Sequence, residues 1–426
     1  MKIEDFLKEK VNKGMQIKLL LVTSLFWSFA AAGVMVMSLT LPKIASYYNI
    51  DLVKASLIPS FTFIGMLVGA TTFGNLADIV GRKGMIAVAI ALISIFNFLT
   101  GIKMSFSLLL TVRFFAGIGM GGALPVINAY LAEFSPMSLR GRNLVLLEAS
   151  WAAGSIIIGI IAITLGKNSF QIDYFVFLIG ILMLLILPAL PESVKFLLKR
   201  NKRKNVKQNL KKLGINEEIN LEFEIEEARH LPIANLFNKE YIGRTLMIWY
   251  LWFSVSLAYY GFFSWLPKVI SKMIGTTITT STTYVFTMLV MQLPGYFFAA
   301  YMIEKIGRKK TLFISLIGTA IMALFFAQSR NSTTLLIYGS LTTAFCMSAW
   351  GVIYAYTPEL YPTEFRASAN GSAGSWARVA GIIAPLYIAS LFKSLVFALS
   401  FLGIILLIGA VWTLLKGIET RNVDIG

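Results

Sequence analysis

Three ionisable side chains, Arg113, Glu148 and Arg378, stand inside long apolar stretches of this chain. A charge at the centre of a membrane helix costs at least about 2.5 kcal/mol, so each is presumed functional. A fixed guanidinium such as Arg378 can hold a carboxylate, sulfonate or phosphate through two parallel hydrogen bonds. Glu148 can carry a proton, or it can pair with Arg140 or Arg142 shortly before it; Glu133 is a second candidate proton site. No other reactive set exists. One cysteine, Cys346, and one histidine, His230, leave no disulfide framework, zinc site or Ser/His/Asp constellation, and no ATP-binding signature is present. Neither enzymatic chemistry nor a cofactor or metal is expected.

A second set of charges comes in pairs. Asp78, Gly81, Arg82 and Lys83 recur as Glu304, Gly307, Arg308 and Lys309, and Glu133, Pro136 and Arg140 recur as Glu359, Pro362 and Arg366, always at an offset of 226 residues (78 to 304, 133 to 359). One unbroken register means two copies of one unit facing the same way. In so apolar a chain, such duplication is the signature of an alternating-access carrier built from two helical bundles. In each cluster the glycines let helix ends approach, the carboxylate can face a neighbouring helix N-terminus, and the Arg/Lys pair can hold acidic groups or lipid phosphates. Simple positive-inside anchoring explains Arg82 and Lys83 but not Asp78 and its fixed glycines. The clusters, with Arg142, are therefore read as gating residues that lock one half against the other.

The elements that carry these residues must be membrane helices. With 57% hydrophobic and 14% charged residues and a mean hydropathy of +0.74, the chain is far from a soluble balance. Apolar runs give about twelve spans, near 18–41, 53–75, 84–103, 106–131, 143–165, 171–190, 244–266, 280–301, 311–328, 332–357, 367–391 and 395–415. The first is too long for a signal-peptide core and is retained. The expected fold is all-α integral membrane, with twelve transmembrane helices in two pseudo-symmetric six-helix bundles: 1–192, then a linker with short helices at 193–243, then 244–426. Of the 38 Lys and Arg, about 28 fall on the side shared by both termini, which is therefore cytoplasmic. The net charge of +17 thus belongs to loops that set orientation and meet anionic lipid, not to nucleic-acid binding. In the linker the lysines give way to Glu217, Glu218, Glu222, Glu224, Glu226 and Glu227, so short helices with basic and acidic faces are expected.

The run from Gly74 through Asp78, Gly81, Arg82 and Lys83 resembles the signature loop of the major facilitator superfamily, and the resemblance covers nearly the whole chain. Tyr130 to Pro136 with Glu133, followed by Arg140 and Arg142, is similar to a loop of sugar porters and organic-ion transporters, as are Pro191-Glu192-Ser193 and the stretch Pro358, Glu359, Pro362, Arg366. That resemblance implies a cytoplasmic charge network between the bundles. Tyr259, Tyr260 and Gly261 resemble the seventh helix of organic anion and cation transporters, and Ser375, Trp376, Arg378, Gly381 and Pro385 their eleventh. In anion-selective members, an arginine in that helix is understood to attract the substrate. Related niacin and aromatic-acid transporters, and many sugar porters, carry an acid in the middle of helix 1; here those positions are Ala30 and Gly33, so proton coupling through helix 1 is not available.

Charges that do not repeat serve what is particular to this carrier. Arg378 matches Ala152 in the first repeat and lies near the midplane. The expected substrate contacts are Arg378, Tyr260 and Tyr354, then Tyr259, Trp376, Trp350 and Trp151, with Arg113 as a second contact or outer-gate residue. Uptake of one anion into an inside-negative cell costs about 2.3 kcal/mol per 100 mV, so import needs a proton, a cation or an exchanging anion, whereas export needs none. The expected function is secondary transport of a small organic anion, with aromatic and heterocyclic carboxylates among the candidates and protons as a candidate coupling partner. The alternatives are a sugar porter-like carrier for neutral sugars or polyols, which should show more Gln and Asn than the isolated Gln292 and Asn128, and a non-transporting membrane sensor. A monomer in the cell membrane is expected.

Overall fold

The computed structural model describes residues 11–135, 137–200, 203–215, 236–362 and 365–421, without the side chains at 137–141, 199, 203–204 and 367. The described chain is helical. We label the long helices α1 (Lys13–Tyr47), α2 (Leu52–Val80), α3 (Arg82–Thr100), α4 (Phe106–Phe134), α5 (Met137–Ile163), α6 (Phe170–Ala189), α7 (Ile242–Ser264), α8 (Ile278–Ile306), α9 (Arg308–Ala327), α10 (Ser332–Glu359), α11 (Arg366–Ser390) and α12 (Leu395–Lys416). Short polar residues start many of them. Asn12, Asp51, Ser105, Thr277 and Asn331 each accept a hydrogen bond from a backbone N–H in the first turn of the helix that follows.

Among the described residues, 11 helices are long and apolar enough to cross a membrane. The exception to the expected twelve is α11, which has the length, at 25 residues, but carries Asn370, Ser372, Ser375 and Arg378. It lies between the two halves against α2 and α7, so lipid is not its main neighbour. Two spans are also less regular than their hydropathy suggests. In α6, α-helical turns alternate with 3₁₀ segments up to Pro188, and α8 is interrupted at Met291, next to Pro294.

The repeat seen in the loops extends to the packing. A Cβ at Gly69 would overlap the Ile118 carbonyl, and a Cβ at Gly295, its counterpart, would overlap the carbonyl of Ala344, the counterpart of Ile118. Backbones of α2 and α4, and again of α8 and α10, therefore touch through small residues, the means by which helices associate in lipid. Elsewhere α1 packs on α5 and α3 on α4, while α9 packs on α10 and α12. The halves meet where α2 runs along α11 and α5 along α8.

At the end away from the termini these contacts are closed. Ser56 Oγ donates to the Pro385 carbonyl at 3.0 Å, Ser60 Oγ to the Ile382 carbonyl at 2.7 Å, and Trp265 Nε1 to Ser56 Oγ at 3.0 Å. Phe63 of α2 fills the space over Gly381 of α11 and lies 4.4 Å from the ring of Tyr260. Beyond α6, the short helix Arg203–Lys212 buries Val206 and Leu210 and exposes Lys207, Lys211 and Lys212, as a basic amphipathic helix should. The acidic run after it and His230 lie outside the described residues.

Candidate functional site

Between the halves lies a cavity of about 460 Å³. Its walls come from the last turns of α4 and α10, the first turns of α5 and α11, and Trp27, Trp252 and Tyr296 of α1, α7 and α8. These turns all adjoin the end that carries the termini, so the cavity opens there and is blind at the sealed end. Arg378 and Glu148 sit at its depth, 8% and 6% exposed. A smaller recess continues from them, lined by Trp151, Tyr259, Tyr260, Trp350 and Tyr354.

Helix geometry aims these groups inward. Arg378 Nη1 is held at 3.2 Å by the carbonyl of Gly374, one turn back, while its Nε is buried without a hydrogen-bond partner. Glu148 Oε1, Trp350 Nε1 and Trp27 Nε1 are likewise buried and unpartnered. A buried donor or acceptor without a partner costs about 1–3 kcal/mol, and several around one cavity call for a polar ligand. The walls are aromatic. Tyr354 lies 4.7 Å from Trp252 and 5.7 Å from Trp350, and the two indoles are 5.6 Å apart and nearly perpendicular. Such an arrangement offers ring faces to a planar guest and a guanidinium to its charged end.

Not every residue picked from the sequence reaches this place. Trp376 is 38% exposed and lines neither space; two residues from Arg378 on a helix it faces the other way, against Trp249 at 5.7 Å and Phe253. Arg113 is fully buried inside the first half. It donates to Thr62 Oγ1 at 3.1 Å and Asn97 Oδ1 at 2.7 Å, lies over the Tyr174 ring, and lines neither the cavity nor the recess. Side-chain amide and hydroxyl thus serve where an acid on α1 was missing, and the space beside Gly33 is filled by Met120 and Asn97. Tyr259 lines the recess but its hydroxyl is taken, accepting from Trp151 Nε1 and Gln292 Nε2 at 3.3 Å each. Glu148 is not the sole acid buried within a span: Asp173, at the start of α6, is buried near Lys43. Arg142 is exposed and makes no ion pair with Glu148, and the Arg140 side chain lies outside the described residues, as does Pro136.

The repeated clusters close within their own halves. Arg82 pairs with Asp78 at 2.6 Å and with Glu133 at 3.2 Å; Arg308 pairs with Glu304 at 3.6 Å and Glu359 at 3.0 Å. Arg366 Nε donates to the Tyr361 carbonyl at 3.1 Å. Among the described residues no ion pair joins one half to the other. Asp78 does not take the helix N-terminus expected of it, since Arg82 holds it one turn away. That place belongs to Glu192, whose Oε1 accepts from the backbone N–H of Lys83 and of Ser193. In the second half Glu419 accepts from the N–H groups of Arg308, Lys309 and Thr420. Gly81 and Gly307, at φ 107° and 91°, are needed twice over: the angle suits only glycine, and a Cβ would strike Glu192 or Glu419. The recurrence of Pro191-Glu192-Ser193 as Ile418-Glu419-Thr420 was the sequence signal for this pair.

Comparison with known proteins agrees with this architecture. Residues 8–425 match the family described as "Sugar (and other) transporter". The chain is 34% identical over 423 residues to the "Putative niacin/nicotinamide transporter NiaP" of Bacillus subtilis (strain 168), spanning 96% of this chain and 98% of that protein. It is 33% identical over 383 residues to the "Niacin transporter NiaP" of Acinetobacter baylyi, spanning 87% and 86%. The partially occluded, inward-open structure of the xylose transporter XylE from E. coli superposes with a TM-score of 0.79 over 96% of this chain and 99% of that one, at 17% identity, a likeness of fold. With matched charge clusters, two helical halves and a cavity between them, the chain belongs to the sugar (and other) transporter family of the major facilitator superfamily, and is a multi-pass membrane transporter.

Proposed function

We propose that this carrier moves a small aromatic or heterocyclic monocarboxylate across the cell membrane, and that Arg378 is its anion anchor. The observation that carries the reading is a buried guanidinium with an unpartnered Nε at the blind end of a cavity walled by Trp252, Trp350 and Tyr354. A carboxylate brings an acceptor for the free Nε, and a flat ring can stack on the aromatic wall that Trp252, Trp350 and Tyr354 form. One of the two relatives is described as a niacin transporter and the other as a putative niacin/nicotinamide transporter, and niacin is a pyridine carboxylate of this kind. A neutral sugar suits the cavity less well, because Asn128 and Asn370 are the side-chain amides among its described lining.

In this reading residues 1–192 and 244–426 are the two moving bundles and 193–243 the linker. Both termini are cytoplasmic, and a monomer suffices. The clusters around Arg82 and Arg308, with Glu133, Glu359, Lys83, Lys309, Arg142 and Arg366, meet across the bundles only when the cavity closes on that side. The test is counterflow into liposomes holding the purified protein, with labelled nicotinate against a panel of unlabelled aromatic acids, organic cations and sugars. Competition by benzoate and pyridine carboxylates but not by xylose or choline is expected. Labelled xylose counterflow that aromatic acids leave untouched would establish the sugar reading instead.

A further inference from the structure

Resting on the anion reading, we infer that Glu148 couples transport to protons by sharing Arg378 with the substrate. The two side chains line the same cavity, each with a buried polar atom that has no partner in the protein. No third charged side chain is found among the described lining residues. From the helices packed around Glu148, the titratable or charged groups that face it are Arg378 of α11, Tyr354 of α10 and Tyr296 of α8; α1 and α4 present Trp27, Leu124 and Asn128, which carry no charge.

The repeat register explains why they meet. Glu148 corresponds to Gly374, whose carbonyl holds Arg378, and Arg378 corresponds to Ala152, one turn beyond Glu148. Each half therefore adds one charge to the related helices α5 and α11, one turn apart in the repeat, and the signs are opposite. In the empty carrier the Glu148 carboxylate is the counter-charge of Arg378. When a substrate carboxylate takes the guanidinium, two anions share one cation in a water-poor space. Glu148 then accepts a proton from solvent on the side where substrate entered, and releases it on the other side once the substrate has left. One proton moves with each anion and no net charge crosses the membrane.

Two readouts test this. In the wild-type protein, quenching of tryptophan fluorescence by nicotinate must show an affinity that rises as pH falls. Glu148→Gln mimics the protonated acid, so its affinity must no longer change with pH. In liposomes a gradient of one pH unit with the outside acidic should drive up to about tenfold accumulation by the wild type, independent of a valinomycin-set potential, and Glu148→Gln should show none. A pH-independent wild-type affinity overturns the inference even if the variant fails to fold, as does gradient-driven accumulation by Glu148→Gln. Nicotinate binding that survives Arg378→Ala would overturn the anchor itself, which is a separate failure.

Discussion

At Arg378 the distinction between charge and geometry is testable. Lysine keeps the charge but not the planar fork, so Arg378→Lys should weaken nicotinate binding about tenfold or more, as read by fluorescence quenching. Unchanged affinity would mean that a point charge suffices. Glu192 and Glu419 give a prediction of a different kind. Each satisfies backbone donors at a helix start, so Glu192→Ala and Glu419→Ala should each cost about 1–3 kcal/mol in thermal unfolding of the detergent-solubilised protein, and glutamine at either site distinctly less. The place of Arg378 at the depth of the cavity was legible in the sequence because it lies near the middle of its span and has no charged counterpart in the first repeat. Trp376 was misplaced because aromatic content and proximity in sequence do not say which face of a helix a ring occupies. Arg113 was misjudged because its partners, Thr62 and Asn97, are neutral and distant in sequence.

Helices carry the closure of the far end and the contacts that let the halves hold their shape. Gly69 and Gly295 stand where a Cβ meets a carbonyl of the neighbouring helix, whereas Gly74 has nothing within 4 Å. Gly69→Leu and Gly295→Leu should therefore abolish recovery of a monodisperse protein in size-exclusion chromatography, and Gly74→Ala should leave it unaffected. The seal at the far end depends on Ser60 and Trp265. Ser60→Ala with Trp265→Phe removes bonds from Ser60 to Ile382 and from Trp265 to Ser56 and Pro385, so substrate-free protein should become more open there. Fluorescence or spin-label distances across α2 and α11 would detect the widening. Hydropathy placed the spans well because lipid demands long apolar helices. It did not reveal the break in α8 at Met291 or the polarity of α11, which faces protein and cavity rather than lipid.

Across the whole molecule, the duplication separates the shared machinery from the particular site. Paired glycines and paired Arg–Glu clusters obey the repeat and the acidic caps Glu192 and Glu419 miss it by one residue, while Arg378, Glu148 and the indoles of the cavity depart from it. With the cavity open at the end of the termini, the two Arg clusters stand apart in their own halves. Arg378 is the residue on which the account depends, and nicotinate counterflow by Arg378→Ala in liposomes is the direct measurement, alongside a melting curve that shows the variant folded. The account predicts loss of counterflow by about 30-fold or more, the effect of removing one partner of a buried charged contact. Counterflow at the wild-type rate by a folded Arg378→Ala would contradict it.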